Sequence, residues 1–428
     1  MSLLDYVNLG LDHLSVKDLH SLANDYATQI KDSLEGKPTT LEMIPAQIAK
    51  KNTDSGSGVV LAIDIGGSKV RLAFISRNGT NQEVLTETQF EFKGGSLTID
   101  EYSSMLVSKI LEFYQTHKLP EILGIGFVFS FPAKIIQTNC GTDVSREGYD
   151  DEWGKDFLVK DSNINITRQI RNELEKKGFP VNCWVSMNDV TALLYTQQDS
   201  NICFVAGTGF NLGININGSL YNTESGFFSS PLFVQLMPKV VKKYFAEVEA
   251  ILKINDEDPG QSLHMLDITE VQVGGLYLYR LLILAMLTLG DCDNSLIIAI
   301  NRLESKALTM ALTSEYESIS KECDCGMTPR RFENLKSVSA LLRDRAADIV
   351  SFQIAGALQV RQDVSDGNHI IVANGSLIEK LPGFKERIVT RVKEIWGYNI
   401  TIATNDEAPL IGAANACFDH VLNSGENK

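Results

Sequence analysis

An α/β fold is predicted by three features of this 428-residue chain. Apolar runs of strand length end in glycine turns at 61–67, 201–209 and 370–375, helix-period segments lie between them, and 44% hydrophobic with 22% charged residues is ordinary globular composition. The length suggests two or three domains, since single cores stop growing near roughly 250 residues. A net charge of −15 without a basic run argues against nucleic acid or an anionic membrane as main partner, because both need a positive footprint. Phosphate stays open, since backbone amides and a local cation bind it even in an acidic protein.

The elements follow in order. Leu11, Leu14, Leu19, Leu22, Ala23, Tyr26 and Ile30 recur at helical spacing over 11–35, and "EGKPTT" ends that helix. "KKNTDSGSG" at 50–58 reads as a linker or domain edge. "GVVLAIDIGG", "VRLAFIS" and "QEVLTETQFEF" are strands of a hairpin or meander, 100–117 a helix, 122–129 a buried strand and 164–177 a charged helix. A second round begins with "VNCWVSM", followed by a helix start at "NDVTALLYT" and by "NICFVAGTG" returning as "FNLGINI". Residues 232–361 are mainly helical in pattern, and "HIIVANGS", "GFKERIVTRVKEIWG", "NITIAT" and "APLIGAANACFDHVL" alternate strand and helix to the end. The most apolar run, Leu281 to Leu289, is short of the roughly 18 residues of a membrane span and reads as a core helix. Seven cysteines (Cys140, Cys183, Cys203, Cys292, Cys323, Cys325, Cys417), an odd number without a secretory leader, point to a reduced cytoplasmic setting. Cys323 and Cys325 have no second pair with which to bind zinc.

Chemistry concentrates at the strand ends. In "LAIDIGGSKVR", Asp64 closes a buried strand, Gly66, Gly67 and Ser68 form a turn whose amides can face an anion, and Lys69 and Arg71 supply cations. Asp64 suits Mg²⁺ or its waters, and equally an Asx cap of the turn. "FVAGTGFN" makes a second turn with Gly207, Thr208 and Gly209, and places Asn211 on the returning strand. Neither turn matches the Walker or dinucleotide fingerprints. In "VSMNDVTALL", Asn188 and Asp189 stand where strand gives way to helix, as an N-cap or as a base for an attacking hydroxyl. "FVFSFPAK" offers Ser130 beside Phe131 and Pro132. Trp153, His264, His369 and the acidic stretch at 255–260 are read as packing or solvated surface.

The ordered set "LAIDIGGSKVR", "GFVFSFP", "EWGKDF", "NDVTALL", "GTGFN", "NTESGF", "DPGQ" and "VANGS…LPGFKER" resembles the eukaryotic, fungal-type hexokinases, members of the superfamily of sugar kinases, actin and chaperone ATPases. The lead-in "TTLEMIPAQI" is similar to theirs, and the likeness runs from about residue 10 to 420. It implies two actin-like (ribonuclease H-like) lobes around a central cleft, with 1–55 and 193–405 in the large lobe and 56–192 and 406–428 in the small one. It assigns Asp189 as catalytic base, and Ser130, Phe131, Lys155, Asn188, Asn211 and Glu224 as sugar ligands. Asp64, Gly66, Gly67, Ser68, Lys69, Arg71, Gly207, Thr208 and Gly209 would meet the phosphates of ATP, Asp64 would hold Mg²⁺, and Gly375 and Ser376 would lie by the adenosine. The partners implied are a small sugar and ATP, in a monomer or homodimer.

Departures from the family pattern cluster around the sugar. Gly154 precedes Lys155 where the family has Thr, Lys69 replaces Asn, Asn374 replaces Asp, the stretch from Asn211 to Glu224 is short, and Met265 takes the second sugar glutamate's place, with Asp267 and Glu270 off register. Losing one charged hydrogen bond weakens glucose by about 10- to 150-fold. The expectation is therefore a 6-phosphotransferase that favours N-acetylglucosamine over glucose. The alternative is a weakly active or inactive sugar sensor.

Overall fold

Ser15 sets the first helix: its hydroxyl accepts from Asp18 N at 3.1 Å and its own N–H donates to Asp18 Oδ2 at 3.3 Å. This capping box starts the helix at Val16 (Val16–Leu34), whereas periodicity placed the start at residue 11; Leu11 and Leu14 are buried ahead of it as coil. The computed structural model describes residues 9–49, 57–66, 69–79, 81–92, 95–117, 121–149, 152–153, 158–160, 163–179, 181–197, 200–254, 267–322, 327–361 and 367–425. The linker expected at 50–58 lies largely outside them, and the acidic stretch at 255–260 wholly so.

The chain divides into two compact units. The first comprises Met1–Met43, Phe204–Leu212 and Thr223–Thr404. Its strands run in the order Phe210–Ile216, Ile202–Ala206, Asn368–Asn374, Asn399–Thr404, the last two parallel; the first two pass into the other unit at one end. Its axis is the helix Pro329–Val360, buried along its C-terminal half. Asp348 on that helix is fully buried and accepts from Arg387 Nε at 2.9 Å and Arg391 Nε at 3.0 Å, which fixes the helix Phe384–Trp396 alongside. A buried carboxylate needs such paired cations to offset its lost hydration. The apolar run at 281–289 falls mostly in the helix Gly275–Thr288, with Leu278, Leu281, Leu282 and Leu284 buried. Among the described residues no helix is long and apolar enough to cross a membrane.

The second unit comprises Ile44–Cys203, Gly213–Asn222 and Asn405–Lys428. Its seven-stranded sheet runs Asn81–Phe90, Val70–Asn78, Ser57–Ile65, Gly124–Phe129, Trp184–Met187, Gly141–Ser145, Lys134–Thr138. The first three strands form the expected antiparallel meander, and Ser57–Ile65, Gly124–Phe129 and Trp184–Met187 are parallel. Phe74, Phe127, Phe129 and Trp184 centre its core. The helix Ala408–Gly425 covers the sheet so closely that a Cβ on Gly126 would stand 2.4 Å from the Ala413 carbonyl oxygen. Unread in the sequence were the strand Ile44–Ala49 and its partner Ser219–Asn222, the hairpin Lys134–Thr138/Gly141–Ser145 and the short pair Ser96–Thr98/Leu158–Lys160.

Candidate active site

The antiparallel register sets Asp64 opposite Arg71, so both side chains share a face of the sheet. Arg71 Nη2 and Nε donate to Asp64 Oδ2 at 2.7 and 3.1 Å, and Nη1 donates to the Asp406 carbonyl at 2.6 Å. Arg71 was expected to face phosphate; in the structure its guanidinium is engaged by Asp64, because the hairpin brings them together. Gly66 N donates to Lys69 O at 3.0 Å and closes the turn; Gly67 and Ser68 lie outside the described residues. Among the described residues no group of three or more His, Cys, Asp or Glu side chains could hold a metal. Mg²⁺ that keeps several waters needs only one or two carboxylates, so Asp64, which is nearly buried and has one oxygen taken by Arg71, fits it through the other.

On the same unit, Ser130 is held at its strand end by Ser130 N donating to Ile65 O at 3.1 Å. Phe131, expected among the sugar ligands, is buried: its ring centroid lies 5.4 Å from Phe129 and 5.0 Å from Trp153. Trp153 also meets Tyr102 edge to face, and its backbone pairs with Val159, so both aromatics wall the segment from behind. Lys155 lies outside the described residues. Asn188 is the N-cap of the helix Asp189–Leu194, its Oδ1 accepting from Val190 N at 3.1 Å. Asp189 is the first helical residue, and its Oδ1 accepts from the same amide at 2.8 Å. The two readings of this dipeptide thus separate: Asn188 supplies the cap, and Asp189 is a half-buried carboxylate oriented by the helix start.

On the first unit, the second glycine turn is a docked one. Gly207 N donates to Gly209 O at 3.0 Å, while Gly207 O and Thr208 O accept from Gly275 N and Leu276 N at 2.8 and 3.0 Å. Gly375 adopts φ +114°, which glycine alone tolerates, and a Cβ there would lie 2.5 Å from the Ala206 carbonyl oxygen. Gly207 in turn comes within reach of the Gly375 Cα and Ser376 N. The structure therefore gathers Gly207, Thr208, Gly209, Gly375 and Ser376, with Thr208 and Ser376 exposed.

Asn211 and Glu224 also meet: Asn211 Nδ2 donates to Glu224 Oε2 at 3.4 Å, and Asn211 Oδ1 accepts from Ser225 N at 3.1 Å. Glu224 sits at φ 49°, ψ 50°, a left-handed conformation uncommon for a side chain of this size. Met265 lies outside the described residues, and the carboxylate beside this group is Glu270. A Cβ on Gly209 would stand 2.2 Å from Glu270 Oε1, and one on Gly226 3.6 Å from its Oε2. Counting from "DPGQ" puts Met265 in register and leaves Glu270 five residues further on. Counting back from Gly274-Gly275, whose backbone docks on the second turn, finds it. Asp267 begins the same helix, Ile268–Val273. Burial first, then a hydrogen bond with Glu270 and the charges of Glu270, Glu224 and Glu42, push its carboxyl up to about 9, so it is protonated at neutral pH.

A hexokinase family model matches residues 11–198 and a second hexokinase model matches 201–418. The hexokinase of Kluyveromyces lactis is 21% identical over 94% of this chain and 88% of its own length. Hexokinase-2 of Saccharomyces cerevisiae is 23% identical over 92% of this chain and 85% of its own. In fold, the hexokinase of Schistosoma mansoni complexed with glucose superposes with a TM-score of 0.77 at 20% identity, covering 96% of each chain.

Proposed function

This chain belongs to the hexokinase family, and on that premise we propose that it transfers the γ-phosphate of ATP to the 6-hydroxyl of a hexose or amino sugar. The observation that carries the reading is the Asn188–Asp189 helix start. With Asn188 taking the cap through Oδ1, its amide is left to grip a sugar hydroxyl, and Asp189 is oriented to accept the 6-hydroxyl proton as the new O–P bond forms and the bond to ADP breaks. Ser130, Lys155, Asn211, Glu224 and Glu270 complete the sugar ligands. Phe131 supports Ser130 from the core. Gly66, Gly67, Ser68, Lys69, Gly207, Thr208 and Gly209 receive the phosphates, with Gly375 and Ser376 at the adenosine. Asp64, oriented by Arg71, would hold Mg²⁺, which neutralises phosphate charge when bound.

The preference for N-acetylglucosamine rests on Gly154, because Glu270 supplies the carboxylate that Met265 lacks. One coupled ADP-release assay tests both levels, with Mg-ATP and glucose, mannose, fructose, glucosamine or N-acetylglucosamine. Turnover of at least one sugar is expected, falling about 10²- to 10⁴-fold in Asp189→Ala. Sugar binding without turnover in the wild type would replace the kinase with the sensor. A wide margin for glucose over N-acetylglucosamine would end the Gly154 argument alone.

A further inference from the structure

Glu224 carries its strain between two fully buried hydroxyl residues, Thr223 and Ser225, and both lead to Tyr26 on the first helix. Tyr26 OH lies 2.5 Å from Ser225 Oγ and 3.3 Å from Thr223 Oγ1; Ser225 Oγ is 2.5 Å from Thr223 Oγ1. Thr223 Oγ1 donates to the Leu212 carbonyl at 2.7 Å. Each hydroxyl has one proton, so that last bond sets the direction of the rest: Tyr26 donates to Ser225, Ser225 to Thr223, and Thr223 to Leu212. The chain ends one residue from Asn211, which itself holds Glu224 Oε2 and Ser225 N. A phenylalanine ring at position 26 would fill the same space, edge to face with Phe228 at 5.3 Å. The hydroxyl is the part that packing does not need, and burying three hydroxyls is costly unless they satisfy one another.

We propose that Tyr26 is a positioning residue that aims the Glu224 carboxylate through the Ser225–Thr223 hydroxyl chain. Burial pushes its phenol up to about 12, so the donor stays protonated through the neutral range. The inference rests on the reading of Glu224 as a sugar ligand, and the test separates the two. Calorimetric titrations with glucose, N-acetylglucosamine and Mg-ATP compare the wild type with Tyr26→Phe, Ser225→Ala, Glu224→Gln and the Tyr26→Phe/Glu224→Gln double variant. Tyr26→Phe is expected to weaken the bound sugar about 2- to 12-fold, the worth of one buried hydrogen bond, with Mg-ATP affinity unchanged. Ser225→Ala should do the same, and is read alone if Tyr26→Phe fails to fold. In the double variant the loss should not exceed that of Glu224→Gln. Sugar weakened by Glu224→Gln but by neither hydroxyl variant overturns the role of Tyr26 and leaves the site intact. Equal losses for sugar and Mg-ATP reduce Tyr26 to a structural residue. Sugar binding absent from the wild type, or indifferent to Glu224→Gln, overturns the reading of Glu224 and the inference with it.

Discussion

At the first glycine turn one backbone bond, Gly66 N to Lys69 O, closes the chain, and the neighbouring feature is charge: Asp64 bound by Arg71. At the second, the turn between Ile202–Ala206 and Phe210–Ile216 is gripped from outside, with the Gly275 and Leu276 amides on its carbonyls, Gly375 against Gly207 and Glu270 filling the space beside Gly209. Similar strand-glycine patterns are thus held by an ion pair in one unit and by close approach in the other. The lesson is that a glycine in such a motif is replaceable or irreplaceable according to what faces it.

The largest test of that contrast is a pair of alanines. Gly375→Ala combines a forbidden φ with a 2.5 Å collision and should destabilise by about 3 kcal/mol or more. Gly66→Ala, whose Cβ would meet Lys69 O at 3.3 Å, should cost under about 1 kcal/mol. Urea unfolding of both decides it, and equal losses would break the comparison. Next, Arg71→Met leaves the Asp64 carboxylate without its cation and should cost about 2 kcal/mol, less than a fully buried pair because the Arg71 side chain keeps 18% exposure. The same unfolding assay checks it, and a loss below about 0.5 kcal/mol would place the pair with ordinary surface salt bridges.

The last test concerns Asp267. Its folded pKa is raised, so the folded state holds a proton that the unfolded chain releases above the usual carboxylate range; stability is greatest below that range and falls as pH rises toward about 9. Asp267→Asn removes this proton linkage. Thermal midpoints from about pH 5.5 to 8.5 should fall less steeply for the variant than for the wild type, and parallel slopes would show that Asp267 is ionised like an exposed carboxylate.

The strands that end in glycine turns were legible because continuous apolar runs mark doubly covered strands. Asn188 and Asp189 were legible because a cap and a first-turn carboxylate leave a local signature. The strand Ile44–Ala49 was hidden because "IPAQIA" begins with Ile-Pro and shows no alternation. Glu270 was legible only as an off-register candidate, because the count from "DPGQ" falls on Met265. Tyr26 could not be found at all: its partner Ser225 is 199 residues away, and helical spacing marked it only as one more buried position. Long-range polar pairing leaves no periodicity, whereas burial does.

The helix Ala408–Gly425 has a consequence in time. It covers the strands Ser57–Ile65, Gly124–Phe129 and Trp184–Met187 of the second unit, yet all of Thr223–Thr404, which belongs to the first unit, is made before it. At ~5–20 residues per second the ribosome needs roughly 10 to 40 s to cross that interval. Throughout it, the sheet face around Gly124 and Gly126 waits uncovered. Unit two is therefore begun early and finished late, and a chaperone acting on the nascent chain has its longest opportunity there.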